Sequence, residues 1–293
     1  GQAIEELEAT GRIEHADDIL TLTICEPAMG SGAFAVEAVN QLAELYLSKK
    51  QSELGQEIPG EDRPKELQKV KAHIALHQVY GVDLNKTAVE LAEISLWLNT
   101  MTAELKAPWF GLRLRHGNSL VGATRATFST TELKTKTYLS TQPTHHALTS
   151  LAQAIDANEH DFSTTGRVHH FLVPSKGWGA AADAKDLKDL VPEQITAMKA
   201  WRRSITKGLT KTQQKRAVTL ARQVERLWEL SLVRLRLAED QVRRDLDLFG
   251  QDFHPTAKNV LRREIEQHLF NNPDSAYQRL RLAMNLWNAL WYW

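Results

Sequence analysis

Residues 24–34, Ile24-Cys25-Glu26-Pro27-Ala28-Met29-Gly30-Ser31-Gly32-Ala33-Phe34, form the stretch on which the fold turns. An apolar run from Ile19 to Ile24 stops there at an acid and a proline. Two glycines flank a serine, and helical spacing of apolar residues begins at Ala33. Glycine permits backbone angles and close approaches that a β-carbon forbids. A strand, a tight turn and a helix N-terminus in this order make a place for something small and polar.

Working outward, residues 33–50 carry Phe34, Val36, Val39, Leu42, Leu45 and Tyr46 at helical spacing, with Lys49-Lys50 suited to a helix C-terminus. Two glycines and two prolines among charges make residues 51–65 a surface insertion, bounded at about 50–70. Residues 66–78 read as helix, and Gln78 to Asp83 as a short strand ending in an acid. Asn85 is a good N-cap for a helix over Lys86–Ala103. Gly111–His116 alternates as a strand and leads into Gly117-Asn118-Ser119-Leu120. This β-α-(insertion, α)-β-α-β order over residues 19–120 predicts an α/β fold with a parallel sheet.

Three domains are expected: 1–125 as the α/β part, 126–182 as an irregular linker or insertion, and 183–293 as a mainly α-helical region. Residues 123–175 are weakly patterned and rich in Thr, Ser and His. His145-His146 and His169-His170 have no cysteine or HExxH nearby, so they read as loop or surface histidines and no metal site is expected. Residues 211–247 could form one helix with Ala217, Leu220, Ala221, Val224, Leu227, Trp228, Leu232 and Leu235 as its buried stripe. Further helices are expected at 256–270 and 275–293.

With 42% hydrophobic and 25% charged residues, the chain has an ordinary globular composition. A single cysteine, Cys25, excludes an internal disulfide framework and fits a reducing compartment. No run of eighteen apolar residues exists, and the N-terminus is too acidic for a signal peptide; a cytoplasmic protein without a membrane partner is expected. The zero net charge conceals a division. Residues 1–100 hold 17 acids against 8 Lys/Arg, whereas residues 199–244 hold 13 Lys/Arg against 4 acids. Such asymmetry hints at a polyanionic partner, nucleic acid being the usual one, although a solvated helix surface would look the same.

If the strands lie side by side, the Gly30-Ser31-Gly32 turn, Asp83 and Asn118 converge at their carboxyl ends, where open α/β sheets bind ligands. Asp83 is placed to accept two hydrogen bonds from a ribose diol, and Asn118 offers a donor and an acceptor to a purine edge. The cofactor expected is therefore one containing adenosine. Gly30-x-Gly32-x-x-Ala35 formally satisfies the dinucleotide fingerprint. However, Glu26 would repel a pyrophosphate while attracting an ammonium or sulfonium. Asp83 also lies 51 residues past Gly32, where a dinucleotide site has its acid about 20 residues on.

Glu26 to Phe34 resembles motif I, (D/E)PAxGSGxF, of the S-adenosylmethionine-dependent DNA N6-adenine methyltransferases. Tyr80-Gly81-Val82-Asp83 resembles their ribose-binding motif, Ala92 to Leu98 the helix that follows, and Gly117-Asn118-Ser119-Leu120 their GDSL/GNSL turn. The resemblance is nearest to the large methyltransferases of type IIG restriction enzymes and of phage-defence systems such as DISARM and BREX, which also carry a tryptophan-rich stretch like Asn285–Trp293. It implies a partial Rossmann-like class I methyltransferase sheet that binds S-adenosyl-L-methionine. The implied contacts are Glu26, Pro27, Ala28, Met29, Gly30, Ser31, Gly32, Phe34, Asp83, Leu84, Asn118, Ser119 and Leu120. Double-stranded DNA and other subunits of a defence complex are the implied partners.

The family's catalytic (N/D)PP(Y/F/W) motif is absent, and so is its upstream FYTP-like motif. Phe270-Asn271-Asn272-Pro273-Asp274 is the nearest approach and reads as a helix-capping turn. These residues are therefore expected to be a fragment, inactive alone, of a longer enzyme. Arg202, Arg203, Lys207, Lys211, Lys215, Arg216 and Arg222 are candidates to face DNA. An RNA or protein methyltransferase, or a non-catalytic DNA- or subunit-docking module with a vestigial cofactor fold, would share much of this pattern.

Overall fold

A parallel pair of strands cannot be joined by a tight turn, so each crossover here is helical. The computed structural model describes residues 2–101, 109–242, 246–252 and 262–292. Two compact units divide the chain, Gly1–Leu120 with Ala238–Arg262 and Val121–Leu237 with Arg263–Trp293.

In the first unit, α1 (Gln2–Ala9) and α2 (Ala16–Ile19) precede β1 (Ile24–Glu26), and α3 (Ala33–Leu54) and α4 (Arg63–Gln78) lead to β2 (Val79–Asp83). Then α5 (Lys86–Thr100) leads to β3 (Leu114–His116). The sheet order is β1-β2-β3, all parallel, with Glu26 opposite Gly81 and Asp83 opposite His116. This is the parallel α/β arrangement that the alternation of elements implies. Val39, Tyr46 and Leu47 of α3, Ile74 of α4, Val79 of β2 and Leu96 of α5 are buried in one core. Each large apolar side chain buried there contributes about 1.5–3 kcal/mol.

Three local readings differ from the sequence-based expectation. The apolar run from Ile19 does not begin the first strand. Asp18 Oδ2 accepts from the backbone N–H groups of Glu14 (3.0 Å) and His15 (2.7 Å), which starts a helical turn and leaves only Ile24–Glu26 as strand. Gln78, buried, fixes the intervening segment by donating to the carbonyls of Ile19 (2.6 Å) and Leu22 (2.8 Å). Second, α3 continues to Leu54, where Gly55 caps it at φ +62°, so only residues 55–62 of the expected insertion lie outside helices. Lys50 is thus inside a helix, buried, with its ammonium on Asp17 at 2.8 and 3.0 Å. Third, α5 ends at Thr100, and the rest of its expected span, 102–103, lies outside the described residues. Asn85 does cap α5, its side chain accepting from Thr87 N–H at 2.9 Å.

The second unit corrects the reading of residues 126–182 as irregular. A three-stranded antiparallel sheet, order β5-β4-β6, is built from β4 (Ala126–Ser129), β5 (Thr144–His145) and β6 (Arg167–His169). Between and after these come α6 (Thr130–Thr135), α7 (Leu148–Asp156), α8 (Lys185–Leu190), α9 (Pro192–Ile205) and α10 (Lys211–Val242), whose end from Ala238 belongs to the first unit. Last are α11 (Arg262–Ile265), continued by a π-helical turn over Glu266–Asn271, and α12 (Ala276–Ala289). Phe128, Leu133, Tyr138, Val168 and Val173 pack against Ala217 and Ala221 of α10. Val224 packs with Phe171 and Leu280, whereas Leu220, expected in the stripe, is 37% exposed.

This unit also buries charge. Arg125, its side chain 1% exposed, donates to Asp161 (3.0 Å) and Glu225 (2.9 Å), and His169 Nε2 lies 2.7 Å from the other oxygen of Glu225. His169 is wholly buried and His170 nearly so, so neither is a surface histidine. Asn272 and Pro273 stand in the turn before α12, where Asn272 Oδ1 accepts from Asp274 N–H and Ser275 caps the helix.

Candidate cofactor-binding site

The carboxyl ends of β1, β2 and β3 bring the residues singled out in the sequence to one edge of the sheet. The turn after β1 folds over the end of β2: Met29 N–H donates to Val82 O (3.1 Å) and Gly32 N–H to Met29 O (2.8 Å). Gly30 and Gly32 take φ of +53° and +80°, the left-handed region that a side chain penalises. A β-carbon on Gly32 would also sit 3.1 Å from Cβ of Ala92 on α5, whereas beside Gly30 there is open space. Gly32 lets α3 and α5 approach closely, and Gly30 faces open space.

Asp83 is the clamp of this edge. Its Oδ2 accepts from Gly30 N–H (2.8 Å) and its Oδ1 from Asn85 N–H (2.8 Å). The Asn85 and then the Gly30 amide hold its carboxyl below the usual carboxylate range, so it is ionised at neutral pH. Each oxygen keeps a further lone pair for an incoming hydroxyl. Gly117 N–H donates to Asp83 O (2.9 Å) and His116 Nε2 lies 3.0 Å from Leu84 O, which fixes the end of β3 beside it.

Glu26 is half-buried at the N-terminus of α3. Its Oε2 accepts from Ala35 N–H (3.2 Å), as a helix-capping carboxylate does. Its Oε1 is buried without a hydrogen-bond partner. Burial raises the Glu26 carboxyl above its usual range, opposed by the Ala35 amide. A buried acceptor left unused asks for a donor. Asn118 is exposed, and its Oδ1 accepts from Leu120 N–H (2.9 Å), so its side chain offers mainly its amide donors outward. Pro27, Ala28, Ser31 and Ser119 are exposed on the two turns, while Met29 is buried. Phe34, Leu84 and Leu120 are 80%, 69% and 92% exposed, three large apolar side chains that follow the three strand ends.

One residue that the sequence reading left without a role is Gly81. A β-carbon there would stand 2.3 Å from Met29 Sδ, so the bare backbone of β2 is what seats the turn.

Among the described residues the seven basic candidates do not line one common cavity. Arg202 and Arg203 line a cleft with Lys176 and Lys199, and Arg222 lines a different cavity with Arg226 and Glu229. Lys207, Lys211, Lys215 and Arg216 are exposed. At 100° per residue, Lys211, Lys215 and Arg222 lie on one side of α10 and Arg216 well away from it. Among the described residues no helix is long and apolar enough to cross a membrane, and no three metal-ligating side chains cluster.

Residues 7–110 match the family model described as MmeI, DNA-methyltransferase domain. That span includes β1, the glycine turn, β2 and α5 and stops before β3. Over 120 residues the chain is 33% identical to a Methanocaldococcus jannaschii protein described as "Putative type II restriction enzyme and methyltransferase", a match covering 36% of this chain and 9% of that protein. No solved structure matches the chain. Residues 7–110 are thus similar to a methyltransferase domain of restriction-modification enzymes.

Proposed function

We propose that this chain is the S-adenosylmethionine-binding part of a DNA adenine-N6 methyltransferase of a restriction-modification or phage-defence system. Its three parallel strands would belong to a Rossmann-like sheet. The observation that carries the reading is the pairing of two unlike carboxylates at the glycine turn. Asp83 is ionised and holds the turn, whereas Glu26 caps a helix with one oxygen and keeps the other buried and unused. The similarity of residues 7–110 to a methyltransferase domain supports it.

The residues fit such a ligand. Glu26 Oε1 would receive the ammonium at the methionine end, and a carboxylate there favours the neighbouring sulfonium through charge. Open space beside Gly30 admits the chain of the ligand against backbone. Asp83 would accept from the ribose diol, the Asn118 amide would donate to the adenine edge, and Phe34, Leu84 and Leu120 would give the ring an apolar surround. The bound cofactor supplies an electrophilic methyl group for an adenine amino nitrogen. These residues contribute placement rather than proton transfer. The target base must leave the duplex, and no NPP(Y/F/W) segment in these 293 residues is available to receive it. We therefore assign the base-binding step to residues other than these.

Titration calorimetry with S-adenosylmethionine tests the reading. The wild-type chain is expected to bind, and Asp83→Ala to bind roughly 10- to 100-fold more weakly, because ribose hydroxyls and the Gly30 amide lose their acceptor. Asp83→Asn, which keeps one acceptor oxygen, should fall between. Equal affinity in all three would remove Asp83 from the site.

A further inference from the structure

The second unit holds a cleft of about 590 Å³ between the turn at Leu139-Ser140, the segment from Lys176 to Asp183, and α9. Four cations, Lys176, Lys199, Arg202 and Arg203, line it against one carboxylate, Asp183. Arg202 spends one nitrogen on Asp183 at 2.7 Å, and Lys199 and Lys188 also act on that carboxylate. Among the described residues Lys176 and Arg203 have no carboxylate within ion-pair distance, and both are exposed.

Aromatic packing lies behind these charges. Trp178, buried, stacks on Trp201 of α9 with ring centroids 6.4 Å apart and planes within 11°, which pins the Lys176–Asp183 segment to the helix. Gly179, at φ +66°, leaves no room for a β-carbon because the Arg202 stem runs 3.2 Å from where it would stand. Lys199 and Arg203 are four apart on α9, so they share one face, about 6 Å apart along the axis. Cations repeated at that interval suit successive anions on a polymer better than one small ion.

The geometry points to this cleft as a binding site for consecutive phosphates of a DNA backbone. The choice of polymer rests on the methyltransferase reading; the choice of cleft rests on the charges. Guanidinium groups offer paired donors to phosphate oxygens, and ammonium groups add point charge. Recognition of this kind is independent of sequence and releases condensed counterions.

The test uses the full chain and a fluorescein-labelled 20-base-pair duplex, with affinity measured by anisotropy across a salt series. Lys199→Glu/Arg203→Glu is expected to weaken binding by roughly tenfold or more at low salt and to reduce the salt slope by about 2. Arg226→Glu/Arg279→Glu makes the same change of net charge on two exposed arginines outside the cleft and should shift affinity by less than about threefold. Lys199→Arg/Arg203→Lys should restore the wild-type slope, and thermal melts verify that each variant is folded. If wild type binds with steep salt dependence and the cleft variant binds equally well, or the control loses as much, the cleft is not the site although the DNA reading survives. If wild type binds no duplex at about 50 mM salt, the DNA reading itself fails and the assignment of the cleft with it. If the Lys199→Glu/Arg203→Glu variant loses affinity for fluorescein-labelled polyglutamate but keeps that for the duplex, the cleft belongs to an acidic protein instead.

Discussion

Arg125→Met is expected to lower the unfolding free energy of the second unit by about 3–5 kcal/mol, the usual cost of removing one partner from a buried ionic group. Arg125 is the shared cation of Asp161 and Glu225, and its side chain is 1% exposed. Without it two carboxylates face each other where water cannot reach them freely. Arg125→Met/Asp161→Asn/Glu225→Gln should recover most of the loss, because the damage lies in the uncompensated charge. Urea denaturation followed by tryptophan fluorescence measures both; an unchanged midpoint in the single variant would mean that the network contributes nothing.

Acid should mimic that variant. Burial pushes the Asp161 carboxyl up, but the Ser163 amide and hydroxyl, the Ser150 hydroxyl and Arg125 outweigh it and hold the pKa at about 2. A carboxyl depressed in the folded state adds stability that is complete above its unfolded value, near 3.9, and is lost as pH falls toward about 2. The Glu225 carboxyl is likewise held down, its burial outweighed by His169 and Arg125. In Arg125→Met the stability profile below pH 4 should flatten only in part, because Ser163 and Ser150 still hold the Asp161 carboxyl down.

Gly32→Val should abolish measurable S-adenosylmethionine binding and cost the first unit about 2–4 kcal/mol. Two penalties combine: a β-branched residue at φ +80°, and a β-carbon driven to within 3.1 Å of Ala92 Cβ. Gly30→Ala supplies the comparison. Its φ of +53° strains the backbone alone, because nothing lies near the added carbon, and about 1–2 kcal/mol is expected. Calorimetry and thermal melts on both variants separate the close approach from the dihedral. If the two behave alike, packing against α5 is not what Gly32 provides.

Elements with strong local chemistry could be read from the sequence. The Asn85 cap, the start of α3 after two glycines and the acid ending β2 depend on neighbours within a few residues. The start of β1 could not be read, because Asp18 recruits backbone donors that a hydrophobic run does not reveal. Strands of two to four residues in the second unit lie below the length at which alternation is visible. Their sheet leans on Arg125, Asp161 and Glu225, residue types that in sequence read as surface. The candidate site was half legible. Its glycines and carboxylates stood out by type and order. The bond from Gly30 to Asp83, the bare backbone of Gly81 under Met29, and the meeting of Lys176 with α9 are long-range facts with no local trace.

The crossover from β1 to β2 sets the order in which this edge can assemble. Gly30 and Asp83 are 53 residues apart in the chain, and their bond requires β1 and β2 already to be paired across α3 and α4. Non-local parallel pairing is slow because loop-closure entropy must be met before any contact compensates it, whereas helices such as α3 and α4 form from local contacts. The glycine turn is therefore expected to form late in the folding of the first unit. A small molecule held there would slow escape from the folded state while leaving the rate of reaching it nearly unchanged. Occupancy of this edge would then govern how long the unit persists.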